Sequence, residues 1–280
     1  WHTDPDEHIA TLDDGIATAA AAGARVVFLP ELTLSRYPAD TLPSGTPVDA
    51  AEVLLDGPTY AFAARSAAAH QVLVHASLYE AVDTGDGLGY NTSILVDPSG
   101  TVLQRTRKLH IPVTSGYFED RYFRPGPAED AYPVVGLDLP GAPRIGVPTC
   151  WDEWFGEVAR AYALAGADVL AYPSAIGSEP DHPDFDTQPL WQATIVGHAI
   201  GNGLFMVVPN RWGDEGLLNF YGSSFIADPY GRVLVSAPRE GDAVLVAELD
   251  LDARRDWLDL FPFLATRRPD TYGSLVGPRE

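Results

Sequence analysis

The chain has 280 residues, 46% of them apolar, enough for one large core or two modest ones and a poor fit to disordered or collagen-like states. Acidic residues outnumber basic ones by 39 to 18, a net charge of −21 that repels phosphate backbones and anionic lipid and so argues against nucleic-acid or membrane partners. A single Cys forbids an intramolecular disulfide and suits a reducing, cytoplasmic compartment, and no apolar run nears the ~20 residues of a membrane span.

Asp4 and Pro5 read as an N-cap and first-turn Pro. Ile9, Leu12, Ile16, Ala19 and Ala20 follow at helical spacing, and Gly23 supplies the stop. A strand over 25–29 runs into Pro30-Glu31, and the order repeats with a helix over 59–70 and a strand over 72–79. Two further strands, 91–96 and 101–106, flank Asp97-Pro98-Ser99-Gly100, which fits a type I turn. After a Pro-rich stretch the alternation resumes: a strand at 144–147, a helix over 153–165, a strand at 169–172, a helix over 189–200 and a strand at 204–208. A last strand–turn–strand unit spans 223–235 around Asp228-Pro229-Tyr230-Gly231. Helices alternating with strands, with hairpins interspersed, predict an α/β layered architecture with mixed sheets. No linker divides the chain, so residues 1–280 read as one domain.

Three polar residues stand at three separate strand ends, where catalytic groups from distant positions converge in α/β sheets. Cys150 follows the strand at 144–147 and precedes a helix, so its thiol can project into a crevice near free backbone N–H groups, and a helix N-terminus would favour the thiolate. Glu31 sits where an apolar strand enters a loop, a position suited to a general base. Lys108, just past the strand ending near Thr106, could stabilise an oxyanion. Taken singly, each has a plain reading: a small buried hydrophobe, a cap or surface acid, a solvated strand-end charge. The seven histidines contain no i, i+4 pair around a Glu and no CxxC partner exists, so neither a metal nor a cofactor is expected. The acidic run from Glu179 to Asp186 reads as a solvated loop, or as a rim attracting an ammonium group on a substrate.

Longer motifs narrow this. Leu29-Pro30-Glu31, Arg107-Lys108 and Pro148-Thr149-Cys150-Trp151-Asp152-Glu153-Trp154-Phe155 resemble, in order, the Glu, Lys and nucleophile elements of the nitrilase (carbon–nitrogen hydrolase) superfamily. Lys108-Leu109-His110-Ile111-Pro112, Gly116-Tyr117-Phe118-Glu119, Asn210-Arg211 and Arg267-Arg268-Pro269-Asp270-Thr271-Tyr272 are most similar to its N-carbamoylputrescine amidase and β-ureidopropionase branch. The resemblance implies a four-layer αββα sandwich of two mixed β-sheets flanked by helices, and a further strand ahead of Trp1. It implies subunits that pair through an outer helical layer into a homodimer or higher homo-oligomer. It further implies catalysis by Glu31, Lys108 and Cys150 with Glu119 as a second glutamate, and substrate contacts from Trp151, Tyr117, His110 and Glu179. The implied reaction is hydrolysis of an N-carbamoyl amine or N-carbamoyl amino acid through a thioester, with release of ammonia. An ω-amide or nitrile hydrolase with the same triad, or a catalytically silent partner-binding member, are the alternatives. Pro148, Thr149 and Gly156 depart from the usual nucleophile element, and Ser35-Arg36-Tyr37-Pro38 from the carbamoylputrescine branch.

Overall fold

A computed structural model describes residues 2–83 and 85–277. Helix α1 (Pro5–Ala21) starts where Asp4 accepts hydrogen bonds from the N–H groups of Asp6 and Glu7, with Pro5 in its first turn. Strand β1 (Val26–Phe28), helix α2 (Pro58–His70) and strand β2 (Leu73–Glu80) form a parallel crossover, and β3 (Tyr90–Val96) and β4 (Val102–Arg107) add antiparallel to it. The first sheet therefore has the order β1-β2-β3-β4. Two short hairpin strands, β5 (Val113–Thr114) and β6 (Tyr117–Phe118), follow. Next come β7 (Val135–Gly136), β8 (Arg144–Gly146), α3 (Gly156–Leu164), β9 (Val169–Ala171), α4 (Gln188–Asn202) and β10 (Phe205–Val208). The hairpin of β11 (Trp212–Asp214) and β12 (Asn219–Tyr221) precedes β13 (Phe225–Ala227), β14 (Val233–Ser236) and α5 (Leu251–Leu260). The second sheet has the order β14-β13-β10-β9-β8-β7, parallel from β8 to β10 and antiparallel elsewhere.

Strand alternation sorts the side chains into layers. Val74, Ala76 and Leu78 of β2 and Ile94 and Val96 of β3 pack on Ile16 of α1 and Phe62, Ala63 and Ala67 of α2. Leu95, on the opposite face of β3, meets Ile145, Val147, Val169, Ala171 and Phe205 of the second sheet. That sheet's outer face, with Leu170, Met206, Val208 and Phe225, packs on Val158 and Tyr162 of α3 and Trp191 and Ile195 of α4. The result is the four-layer αββα sandwich. Burial of each Val, Leu, Ile, Met or Phe side chain among these contributes roughly 1.5–3 kcal/mol. Gly146 permits the closest of these approaches, since a Cβ there would lie 2.4 Å from the Tyr162 ring.

One expected boundary differs. The helix predicted from residue 153 begins at Gly156, because 150–154 form a separate 3-10 turn closed by a Thr149–Asp152 capping box. Helix α5 is absent from the sequence reading: its stripe of Leu251, Ala253, Trp257 and Leu258 is short, only half-buried, and interrupted by the charged residues of Arg254-Arg255-Asp256.

Candidate active site

Along the inner face of β3, Leu95 gives way to Ser93 and then Asn91, and the hydrocarbon between the sheets gives way to a buried polar site. Strands β1, β2 and β4 run in the same direction, so their C-terminal ends lie on one side. Glu31 follows β1 there and Lys108 follows β4.

Glu31 is fully buried on a turn whose next residue, Leu32, has φ +50°. The Ser77 hydroxyl accepts the Leu32 N–H, and the N–H of Thr33 donates to the Ser77 carbonyl (2.8 Å). The Arg211 guanidinium donates to the carbonyls of Glu31 (3.2 Å), Leu32 (2.8 Å) and Ser35, and to the Glu215 carboxylate (2.5 Å). Asn91 fixes the side chain itself, with Nδ2 donating to Glu31 Oε1 at 2.7 Å. Among the described residues, Glu31 Oε2 has no hydrogen-bond partner.

Lys108 is fully buried, and its Nζ lies 3.0 Å from Glu31 Oε1 and 2.9 and 2.7 Å from the two oxygens of Glu119. Burial opposes its charge, but the two carboxylates outweigh burial and hold the ammonium well above the usual lysine range. Glu119 begins a short 3-10 turn and also accepts the Tyr37 hydroxyl at 2.8 Å. Burial pushes its carboxyl up to about 7; Lys108 opposes the rise and Glu31 adds to it.

Cys150 comes from the other sheet, four residues beyond β8, and its N–H donates to the Pro173 carbonyl at 3.0 Å. Its φ of +34° is a backbone conformation that L-residues seldom adopt, and such strain clusters at functional sites. The expected lowering of the thiol pKa by a helix N-terminus is not found. Burial pushes the thiol well above its ordinary range and Glu31 raises it further, with Lys108 pulling the other way. The physical reason is that only a 3-10 turn starts at Cys150, inside a pocket ringed by carboxylates. One of these is the buried Glu153, held by Trp191 Nε1 (2.7 Å) and Ser174 Oγ (3.0 Å), which burial raises well above the usual carboxylate range.

The expected substrate contacts fall around this centre. The Tyr117 hydroxyl accepts the Gly177 N–H (3.1 Å) and donates to the Ser178 carbonyl (3.1 Å), and its ring environment feels Glu179 and Cys150. Glu179 is half-buried, which raises its carboxyl pKa, whereas most of the acidic run after it is exposed. Trp151 is half-buried beside Trp154. The His110 ring stacks on Phe155 at 3.8 Å with Nδ1 on the Asp152 carboxylate at 2.7 Å. Among the described residues, no group of three or more His, Cys, Asp or Glu is placed to hold a metal ion. No helix among them is long and apolar enough to cross a membrane.

The carbon–nitrogen hydrolase family model matches residues 1–259. The chain belongs to the carbon–nitrogen hydrolase family. A citrullinase of Francisella tularensis is 37% identical, over 96% of this chain and 93% of its own. An N-carbamoylputrescine amidase of Arabidopsis thaliana is 34% identical, over 98% of this chain and 91% of its own. The crystal structure of a carbon–nitrogen hydrolase from Helicobacter pylori superimposes with a TM-score of 0.88 at 29% identity, covering 100% of this chain and 96% of that one. The protein is a cysteine-dependent hydrolase of this family. Sequence reasoning gave no role to Asn91, Tyr37, Asp152 or Arg211. Asn91, a poor strand former at a buried strand position, was one local signal, and the Thr149–Asp152 capping-box spacing another.

Proposed function

We propose that this hydrolase cleaves the ureido C–N bond of an N-carbamoyl amine or N-carbamoyl amino acid, with Cys150 as nucleophile, Glu31 as general base and Lys108 as oxyanion cation. One observation carries the assignment of roles: Lys108 Nζ is shared by Glu31 Oε1 and Glu119, while Glu31 Oε2 is left without a partner in a pocket where the thiol feels the Glu31 charge. Glu31 takes the Cys150 proton as Sγ attacks the carbonyl carbon. The oxyanion is held by Lys108 Nζ and by the Trp151 N–H, a first-turn amide without a partner inside its helix. Collapse expels ammonia, which receives the proton from Glu31 and leaves the carbonyl group on sulfur. Water, deprotonated by the same Glu31, then attacks; the thiol is regenerated and the carbamic acid product breaks down to amine and carbon dioxide.

Glu119 keeps Lys108 in place, and Tyr117 and His110 shape the substrate's surroundings. Half-buried Glu179, whose charge reaches the Tyr117 hydroxyl, supports an ammonium group at the far end of the substrate. Both relatives are named for ureido compounds that also carry an amino group. A homodimer or higher homo-oligomer through the outer helices is supported by the exposed Leu164, Leu190 and Ile200, and a reducing, cytoplasmic setting would keep the single thiol active. The deciding experiment measures ammonia release from N-carbamoylputrescine, citrulline, 3-ureidopropionate, simple amides and nitriles. If no ureido compound outperforms a plain amide, the substrate assignment fails and the amidase or nitrilase alternative stands.

A further inference from the structure

Lys108 and Cys150 belong to different sheets. The Lys108 backbone is pinned to β3 through its N–H on the Asn91 carbonyl at 2.9 Å, whereas Cys150 is pinned to the carbonyl of Pro173 just beyond β9. What packs the two sheets together is mainly apolar side chains, Leu95 against Ile145, Val147 and Phe205. Such packing is non-directional and fixes distance better than register. A site split across that interface needs a directional tie.

The Asp152 carboxylate has the geometry of one. It is fully buried and accepts four N–H donors. Oδ2 takes the N–H of Thr149, the residue before the nucleophile, and the N–H of Leu109, the residue after the cation, each at 3.3 Å. Oδ1 takes the His110 N–H at 2.9 Å and His110 Nδ1 at 2.7 Å. A carboxylate only accepts, so Nδ1 carries the proton. The stack of the His110 ring on Phe155 joins the same two segments from the outside. Other polar bridges between the two halves leave the Lys108–Cys150 pair untied: Ser93 Oγ to Thr149 Oγ1 at 3.2 Å reaches only the nucleophile side, Arg211 holds the Glu31 turn, and Tyr117 holds residues 177 and 178.

We propose that Asp152 is a positioning residue that sets the Lys108 ammonium in register with the Cys150 thiol across the interface between the two sheets. This rests on the roles assigned above to Cys150 and Lys108. An Asn at 152 retains one acceptor oxygen for His110 but turns an NH2 group toward the N–H groups of Leu109 and Thr149. Two donors then face a donor, and the segments that carry the cation and the nucleophile separate.

The test uses the full chain as D152N and H110A, the latter removing one of the four donors together with the stack. Three quantities are read: kcat and KM on the best substrate, the pH dependence of iodoacetamide alkylation of Cys150, and the melting temperature. For D152N, kcat is expected to fall about 30- to 100-fold with KM changed less than about threefold, the signature of lost alignment rather than lost binding. The alkylation midpoint should move up by about one pH unit as the ammonium leaves the thiol. H110A should move both readouts the same way, kcat by about fivefold. A D152N protein that melts lower yet keeps wild-type kcat and alkylation midpoint overturns the proposal and leaves Asp152 a purely structural group. If D152N does not fold, wild-type values of both readouts in H110A overturn it equally. A wild-type protein that releases no ammonia from any amide, ureido compound or nitrile overturns the catalytic roles themselves, a distinct failure.

Discussion

Replacing Glu119 by Gln tests the electrostatics of the site without depending on a substrate. In the folded protein the Glu119 carboxyl titrates at about 7, against an ordinary value of 4.5, because burial and the nearby Glu31 outweigh Lys108. A carboxyl whose pKa is raised by folding contributes stability that is complete below its unfolded value and is lost as pH rises through the folded one. Linkage between those two values gives a loss of about 2–3 kcal/mol from this group between pH 5 and pH 8. Gln cannot titrate. The unfolding free energy of E119Q minus that of the parent should therefore rise by about 2–3 kcal/mol across the same interval, whatever its offset, because groups beyond the Glu31–Lys108 cluster titrate alike in both proteins. Urea titrations followed by tryptophan fluorescence at several pH values provide the measurement. A difference that stays constant within about 0.5 kcal/mol would refute the reasoning, since Glu119 would then ionise as easily in the fold as outside it.

Glu31→Gln keeps the shape of the side chain but removes the proposed base, so kcat for ammonia release should drop by about 10³-fold with little change in melting temperature. Arg211→Ala strands the Glu215 carboxylate and leaves the carbonyls of Glu31 and Leu32 without their donor. Its unfolding free energy should fall by about 3–5 kcal/mol, read by denaturant titration. Trp191→Phe removes the indole N–H from Glu153 Oε1, and the same titration should register a loss of about 1–2 kcal/mol.

The parts of this architecture written in local chemistry were readable. Asp4 and Pro5 cap α1 by bonds to residues two and three positions on, and the 97–100 turn closes on the Asp97 carboxylate and carbonyl. Cys150, Glu31 and Lys108 stood out by their strand-end positions, whereas the αββα layering and Glu119 came with the family resemblance, which the family match and the fold support. The supports of the site were not readable, because their partners lie far away in the chain: Arg211 is 180 residues from Glu31, Asn91 is 60, and Tyr37 is 82 from Glu119. Nothing in Asn210-Arg211 announces a guanidinium aimed at three carbonyls of a distant turn. The capping box at Thr149 and Asp152 was visible in principle, yet the same Asp also serves residues 109 and 110, and that second duty has no local trace.

The raised thiol pKa fits the proposed chemistry once the charges are followed. Before attack the site holds a neutral thiol, an ionised Glu31 and a protonated Lys108; after attack it holds a neutral Glu31, an oxyanion and the same Lys108. The total is unchanged. A negative charge has moved from one neighbour of the ammonium to another, and no new charge has been created in a buried, low-dielectric pocket, where creation would be costly. A preformed thiolate would instead place a second anion beside Glu31, the interaction that pushes the Cys150 pKa upward after burial itself. The position of Lys108 Nζ, 3.0 Å from Glu31 Oε1 and clamped from behind by both oxygens of Glu119, lets one fixed cation serve both locations of that charge without reorganising.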